Sequence, residues 1–301
     1  MTYICIITEV SLKESHIYDT IYREFEHRGE ILRKKLLLLL AGLLSVNIFG
    51  SNDSDSMFPL FKDEVIKRGY KLPKPYGVNL IYVDMKQNVD INQISLSKLK
   101  FLNIDIKDAE ASNVTKGARV DLWLFPFMNI YGMVGETKGK SKAKIDISLK
   151  KIPGLKVKDV DFALEYDGIT YGGGTILAGG YKNIFAMTDI NYTRTTLDIL
   201  EGDITALTVS PRIGYNFPGE KAQTSIWIGG MYQEISQTLK GNIADVIPIN
   251  IPGKFEVKEK AKNPWNYVIG TRTEFSNNIE ITAELGLGQR KSILLGLGYR
   301  F

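Results

Sequence analysis

The C-terminal part of this chain alternates between apolar residues and small or polar ones without a break. In the segment from Ser292 to Phe301 one face carries Ile293, Leu295, Leu297, Tyr299 and Phe301. The segment 278–288 repeats the pattern, with one face made of Ile279, Ile281, Ala283, Leu285 and Leu287. A period of two residues is the period of a β-strand. Two consecutive strands, each apolar along one whole face, predict a sheet that lies against lipid.

The same alternation upstream predicts ten strands in total. The other eight lie near 77–84, 118–125, 129–137, 169–179, 182–194, 203–216, 221–233 and 264–275. Four connections are short (125–129, 179–182, 217–221 and 276–278), and they alternate with the segments 85–117, 138–168, 195–202 and 234–263, which are predicted as mostly long loops. This arrangement is typical of transmembrane barrels, with short periplasmic turns and longer external loops. The prediction is therefore an all-β, transmembrane, antiparallel up-and-down β-barrel over 77–301.

The strand count has an alternative range of eight to twelve. The segment 138–168 has an alternation of its own at Ile145, Ile147 and Leu149, which could add one hairpin. The aromatic residues support two membrane boundaries, because rings concentrate where a barrel meets the lipid headgroups. Those predicted at the outer ends of the strands are Tyr82, Tyr192, Tyr232, Trp265 and Tyr267, and those at the inner ends are Tyr215, Phe217, Tyr299 and Phe301.

Three segments precede the predicted barrel. Residues 33–50 have the parts of a secretory signal peptide: Arg33-Lys34-Lys35, an apolar run from Leu36 to Val46, and small or polar residues after it. A buried helix of a soluble domain is the alternative for that run. Residues 1–32 are acidic and unsuited to export, so we interpret them as a mis-called upstream extension; a genuine cytoplasmic extension is the alternative. Residues 51–76 are predicted as a periplasmic lead-in.

The composition excludes several functions. The only cysteine is Cys5 and the only histidines are His16 and His27, so the segment after residue 50 contains neither residue type. A Ser–His hydrolase and a Cys/His zinc site are therefore not expected. The net charge of +4 is too small to favour nucleic acid. We predict no catalytic residues, no metal and no cofactor. An envelope-modifying enzyme that uses carboxylates alone is the alternative, and the apolar stripes oppose a soluble periplasmic binding barrel.

Charged residues on the other face of the strands are predicted to point into the lumen. By parity they are Arg119, Asp121, Asp189, Arg212, Arg272, Glu274, Glu280, Glu284 and Arg300. Both signs occur, so these side chains either pair with one another and fill a narrow barrel or line a narrow polar channel. The segment 138–168 also holds eight lysines, which form a solvated face or contact lipopolysaccharide or a host surface: Lys138, Lys140, Lys142, Lys144, Lys150, Lys151, Lys156 and Lys158.

With this pattern the chain resembles the Gram-negative outer-membrane β-barrel proteins, in particular the small OmpA/OmpW-like barrels. The resemblance covers 77–301 and is most specific at Gly298-Tyr299-Arg300-Phe301. In that class a terminal aromatic residue with apolar residues at alternate positions before it is the assembly signal, and Phe301, Tyr299 and Leu297 match it. The resemblance implies outer-membrane localisation, contact with outer-membrane lipid and lipopolysaccharide, and dependence on periplasmic chaperones and the barrel-assembly machinery. The function expected is non-enzymatic: membrane-structural or surface-interaction, or a narrow small-solute pore.

Overall fold

The computed structural model describes residues 56–69, 72–96, 102–149, 156–197, 201–242 and 254–301. One short helix, α1 (Lys62–Lys67), precedes eleven strands. They are β1 (Tyr76–Leu96), β2 (Leu102–Phe125), β3 (Met128–Leu149), β4 (Lys156–Tyr181), β5 (Ile184–Leu197), β6 (Glu201–Phe217), β7 (Ala222–Asn242), β8 (Lys254–Ala261), β9 (Trp265–Phe275), β10 (Ile279–Leu287) and β11 (Arg290–Arg300). Within those ranges, no helix has the length and apolar character needed to span a membrane. The predicted segments 1–32 and 33–50 lie outside the described residues.

Ten of these strands form a closed antiparallel ring. Each strand except β8 pairs with its neighbours around the ring, and β11 pairs with β1 from Gly77↔Arg300 to Gln87↔Arg290. Closure removes the sheet edges, whose unpaired N–H and C=O groups would be costly in lipid. The predicted fold class and its ten strands are confirmed, and the four short connections are turns at the rim that carries the C-terminus. We call this rim the lower rim.

The predicted long loops are wrong in large part, because five strands continue through them. β1, β3 and β7 end, and β2 and β4 begin, well above the positions that the sequence predicts. The segment 138–168 adds no hairpin; it supplies the upper parts of β3 and β4, which pair with each other. We call the strand segments above the upper aromatic belt the extension; at ~3.3 Å per residue they rise roughly 30 Å.

At the base of the extension, β8 replaces β9, β10 and β11 between β7 and β1. It pairs with β7 from Ser236↔Lys260 upward and with β1 from Val89↔Ala261 upward, directly above the end of the β10–β11 hairpin. β8 and β9 therefore form one descending strand with a break at 262–264, and the hairpin lies below that break, between β9 and β1. Between β7 and β1 the wall therefore has three strands below the break and one strand above it.

The outer surface divides the molecule into two levels. Below the upper belt it is apolar and largely exposed, for example at Leu80, Ile213, Ile228, Ile281 and Leu297. The upper belt itself contains Tyr82, Tyr171, Tyr192, Tyr232, Trp265 and Tyr267, and the lower rim carries Tyr76, Phe125, Phe127, Tyr181, Tyr215, Phe217, Phe275, Tyr299 and Phe301. We call the part between these belts the membrane section. The predicted outer aromatics thus mark the lipid boundary, while β1, β5 and β7 continue above it.

The barrel closes at its two chain ends with paired backbone and stacked rings. Tyr76 and Phe301 exchange both backbone hydrogen bonds, at 3.0 and 3.1 Å. Their rings stack with centroids 5.7 Å apart, and Tyr299 stacks on Phe301 at 6.2 Å. Before β1, the lead-in crosses the lower rim, where Leu60 donates its backbone N–H to the Leu124 carbonyl and the Phe61 ring stacks on Phe125. The first and last residues of the barrel, Tyr76 and Phe301, therefore pair with each other and close the sheet.

Candidate functional site in the barrel lumen

The lower lumen contains a connected network of charges centred on Asp121. Its carboxylate, buried with 1% of its side chain exposed, accepts hydrogen bonds from Arg300 at 2.7 Å, Asn129 at 2.8 Å and Asn79 at 3.0 Å. Arg119 lies 4.0 Å away. Three donors and two cations satisfy this carboxylate and hold it in one geometry, as a buried charge requires.

Glu280 links Arg300 to a second arginine in the same layer. Arg300 lies 3.8 Å from the Glu280 carboxylate, and Arg272 donates to Glu280 and, at 3.0 Å, to Glu274. Arg300 also donates its Nε to the Lys74 carbonyl of the lead-in at 3.1 Å. Six of the nine predicted lumen charges, Arg119 included, therefore lie in one layer near the lower rim. Glu274, Arg272 and Arg119 are partly exposed to solvent, and the other three are buried.

The middle of the lumen is occupied by an arginine, a glutamate and a tryptophan from three strands. Arg212 of β6 binds Glu284 of β10 with two hydrogen bonds, at 2.6 and 2.9 Å. Trp227 of β7 donates its ring N–H to the same carboxylate at 2.7 Å. The indole lies over Gly270, where a Cβ would meet it at 2.5 Å, so glycine is needed to admit the ring. A bidentate ion pair beside a buried indole therefore lies inside the lumen at this level.

Asp189 and Arg119 are joined through Tyr131. The Tyr131 hydroxyl donates to Asp189 at 2.7 Å, and Asn191 donates to the same oxygen at 3.3 Å. The Arg119 guanidinium lies 3.8 Å from the centre of the Tyr131 ring, within the range of a cation–π contact. All nine charges that parity assigns to the lumen thus have a polar partner in the described residues. Ion pairing or hydrogen bonding with neighbours is the state expected of buried charges in a barrel.

Above this level the wall carries hydroxyl groups in place of charges. Thr115, Thr137, Thr170 and Thr195 form a chain of hydrogen bonds across β2 to β5, with oxygen separations of 2.7, 2.5 and 2.7 Å. Cross-strand threonine pairs of this kind stabilise a sheet without a charge. They separate the ionic layers from an apolar cluster above.

An apolar cluster closes the upper end. The cluster contains Leu164, Tyr166, Leu197, Leu239 and Val257, which come from β4, β5, β7 and β8. Leu239 and Val257 are completely buried. We call these five residues the cap. Beside the cap, Glu259 of β8 is 2% exposed and accepts a hydrogen bond from Ser141 at 2.9 Å. Burial raises the pKa of the Glu259 carboxyl, and burial likewise raises the pKa of the Tyr166 hydroxyl.

The lysines of β3 face outward from the extension, opposite acidic residues of the next strands. Lys138 lies 4.0 Å from Asp167, Lys140 pairs with Glu165, and Lys142 is opposite Glu110 in the sheet. Lys158 is exposed on β4, and Lys150 and Lys151 lie outside the described residues. The exposed face of β2 to β4 is therefore a mixed-charge surface, although the sequence suggests a lysine-rich one.

The sequence missed several residues that fill the lumen: Tyr131, Trp227, Tyr166, Glu259 and Arg290. Arg290 has the same parity as Arg300, so extending the last predicted strand by two residues would have found it. Trp227 could be found because it interrupts the outward pair Ile226 and Ile228. Among the residues that the structure describes, no group of three or more His, Cys, Asp or Glu side chains could hold a metal ion.

A closed antiparallel barrel with an apolar band between two aromatic belts, a polar interior and short turns at one rim has the architecture of bacterial outer-membrane proteins. The chain is an integral outer-membrane β-barrel, and the apolar band places it in contact with membrane lipid. Short turns such as those at the lower rim are typical of the periplasmic side of such barrels.

Comparison with known proteins gives distant structural similarities. No protein-family model matches the chain, and no curated protein does. The outer membrane protein OprG from Pseudomonas aeruginosa is 12% identical, with 76% of this chain and 98% of that chain covered and a TM-score of 0.39. The transport unit of the autotransporter AIDA-I from Escherichia coli is 12% identical, with 75% and 90% covered and a TM-score of 0.37. The toluene transporter TbuX from Ralstonia pickettii is 7% identical, with 76% and 90% covered and a TM-score of 0.32.

Proposed function

We propose that this protein is a non-enzymatic, non-conducting barrel that holds a rigid β-extension at the cell surface for membrane stabilisation and surface interaction. The observation that carries the proposal is the double closure of the lumen. The bidentate Arg212–Glu284 pair with Trp227 fills the membrane section, and the cap seals the extension above it. An open aqueous channel would leave the side chains along its path in contact with water, whereas Leu239 is completely buried.

Planar-bilayer conductance tests the closed lumen. Wild-type protein is expected to give no steady current, with a general porin in the same membranes as the positive control. Glu284→Ala and Arg212→Ala each remove one side of the central pair, and the cap should keep both variants silent. A steady wild-type current that either substitution alters would replace this proposal with the narrow small-solute pore.

The surface position of the extension can be tested with single cysteines, because the chain has no cysteine after Cys5. Lys142→Cys places a thiol on the exposed side of β3, and Lys182→Cys places one at an exposed turn of the lower rim. A membrane-impermeant maleimide applied to intact cells should label the first variant and leave the second unlabelled until the cells are opened. If Lys182→Cys alone were labelled on intact cells, the lower rim would face the outside and the proposed orientation would be wrong.

We also propose that the barrel-assembly machinery reads Phe301, Tyr299 and Leu297, after delivery by periplasmic chaperones. Leu297 and Tyr299 are exposed on the outer face of the strand that pairs with β1, so a partner can contact them before closure. Deleting Phe301 should sharply lower the folded, heat-modifiable band in cells while detergent refolding of purified protein stays largely intact. Tyr76→Ala is the matched control, because it removes the same ring stacking and keeps the signal. Equal losses for both variants in both assays would make Phe301 an ordinary packing residue.

A further inference from the structure

Arg290 differs from the other arginines that face the lumen. Arg119, Arg212, Arg272 and Arg300 each have a carboxylate within 4.0 Å. Arg290 begins β11 at the top of the β10–β11 hairpin and is 1% exposed. Among the described residues, no carboxylate lies within ion-pairing distance of its guanidinium. It is therefore a buried charge without a protein counter-charge.

The surroundings of Arg290 hold its guanidinium in place with neutral groups. Its Nε donates to the Gln87 side-chain oxygen at 2.9 Å, and Nη2 lies 3.5 Å from the Asn263 carbonyl oxygen. Asn266 brackets the backbone of Arg290, donating to its carbonyl at 2.6 Å and accepting from its N–H at 3.3 Å. These contacts fix the side chain but neutralise none of its charge.

One nitrogen of this guanidinium has no hydrogen-bond partner. Nη1 of Arg290 is buried and bonds to no described residue. Arg119 and Arg272 also have one buried nitrogen each without a described partner, but both guanidiniums lie beside carboxylates. A buried cation is costly unless an anion or hydrogen-bond acceptors accompany it. Arg290 Nη1 lies at the end of the β10–β11 hairpin, below the break between β8 and β9.

We propose that Arg290 Nη1 is the binding point of a small monovalent anion of about the size of chloride in the upper lumen. A single free nitrogen suits a compact ion that makes one strong charge-assisted contact. The Gln87 and Asn263 contacts orient the guanidinium toward it. The anion completes the neutralisation that carboxylates provide for the four arginines of the lower layers, and the site does not depend on whether the barrel conducts.

The test measures thermal unfolding of the purified wild-type barrel in detergent as chloride replaces gluconate at constant ionic strength. A ligand that binds only the folded state raises Tm, and we expect roughly 5–10 °C between chloride far below its Kd and about a hundred times above it. Arg290→Gln should give a flat response, and Lys291→Gln, which removes the adjacent exposed charge, should respond like wild type. Equal responses in all three proteins would overturn the proposal.

Bromide soaked into crystals of the wild-type barrel provides a second readout that needs no variant. An anomalous peak at about hydrogen-bonding distance from Arg290 Nη1 supports the site. If Nη1 instead contacts density without anomalous signal at saturating bromide, its partner is water and the anion site does not exist. This readout remains decisive if Arg290→Gln fails to fold.

Discussion

The membrane section and the extension are built from the same strands with opposite side-chain rules. In the membrane section the inside is ionic, with Asp121 and Glu284 buried, and the outside is apolar. In the extension the inside is the apolar cap and the outside carries ion pairs such as Lys86–Glu110 at 2.8 Å. β7 shows both rules in one strand: Ile228 faces out below Tyr232, and Leu239 faces in above it.

The difference shows that the surrounding medium, and not the strand itself, decides which face is apolar. Lipid takes up apolar side chains at no cost, so the lumen of the membrane section must accept the polar ones and pair them. Water reverses the preference, and the extension buries leucine and valine as a soluble sheet protein does.

The largest effect is expected where a buried charge loses its partner. Asp121→Asn leaves Arg300 and Arg119 without their shared carboxylate, and breaking a buried ion pair costs about 3–5 kcal/mol. Urea unfolding of the barrel in lipid vesicles should show this loss. Glu274→Gln is the control in the same network, because Glu274 is 35% exposed and Arg272 keeps Glu280. Comparable losses for both variants would mean that burial does not set the strength of this network.

In the extension, the matching change removes a buried apolar side chain. Leu239→Ala should cost about 2–5 kcal/mol, because it opens a cavity in the cap. The loss should be confined to the extension, so proteases should cut it while the membrane section stays protected and heat-modifiable. Leu207→Ala, on the lipid-facing side of β6, should cost less because lipid refills the space. A global loss of the folded band in Leu239→Ala would show that the two levels fold as one unit.

The boundary itself can be tested with the same substitution on either side of it. Ile228 and Ser236 face outward on β7, below and above the belt. Ile228→Arg places a charge near the middle of the apolar band and should cost about 2–4 kcal/mol. Ser236→Arg should stay within about 0.5 kcal/mol, as expected for a solvated surface position. Urea titration in vesicles measures both, and a large cost at Ser236 would move the lipid boundary upward.

The membrane section could be predicted from the sequence because lipid requires an apolar residue at every second position. Ile279 to Leu287 and Ile293 to Phe301 satisfy that rule throughout, so strands, parity and inward charges follow from it. Parity predicts that Arg212 points into the lumen, but it does not predict which residue pairs with it. That pairing depends on side chains from strands that are distant in the sequence. The Arg212–Glu284–Trp227 contact therefore could not be predicted.

The extension escaped prediction because its strands lack an apolar stripe. On β3, small residues such as Ser141 and Ala143 alternate with four lysines, Lys138, Lys140, Lys142 and Lys144. This pattern has the period of a strand, but neither face is a continuous row of large apolar residues. In water such a strand needs only a thin apolar core on its inner side, which Ala143 and Ile145 provide. The position of β8 between β7 and β1 is a long-range pairing that no local pattern contains.

The smallest effect is expected for the ion pairs on the outside of the extension. Lys86 and Glu110 are 2.8 Å apart, with 56% and 40% of their side chains exposed. A double-mutant cycle with Lys86→Ala and Glu110→Ala should give a coupling of about 0.2–1 kcal/mol, because water screens both charges. In 1 M salt, where the Debye length is about 3 Å, most of that coupling should disappear. The same cycle on Arg212 and Glu284 should give a larger value that salt barely changes, because both side chains are at least nine-tenths buried. A salt-insensitive coupling at Lys86–Glu110 would mean that the outside of the extension is covered, and that a partner or lipid headgroups reach above the belt.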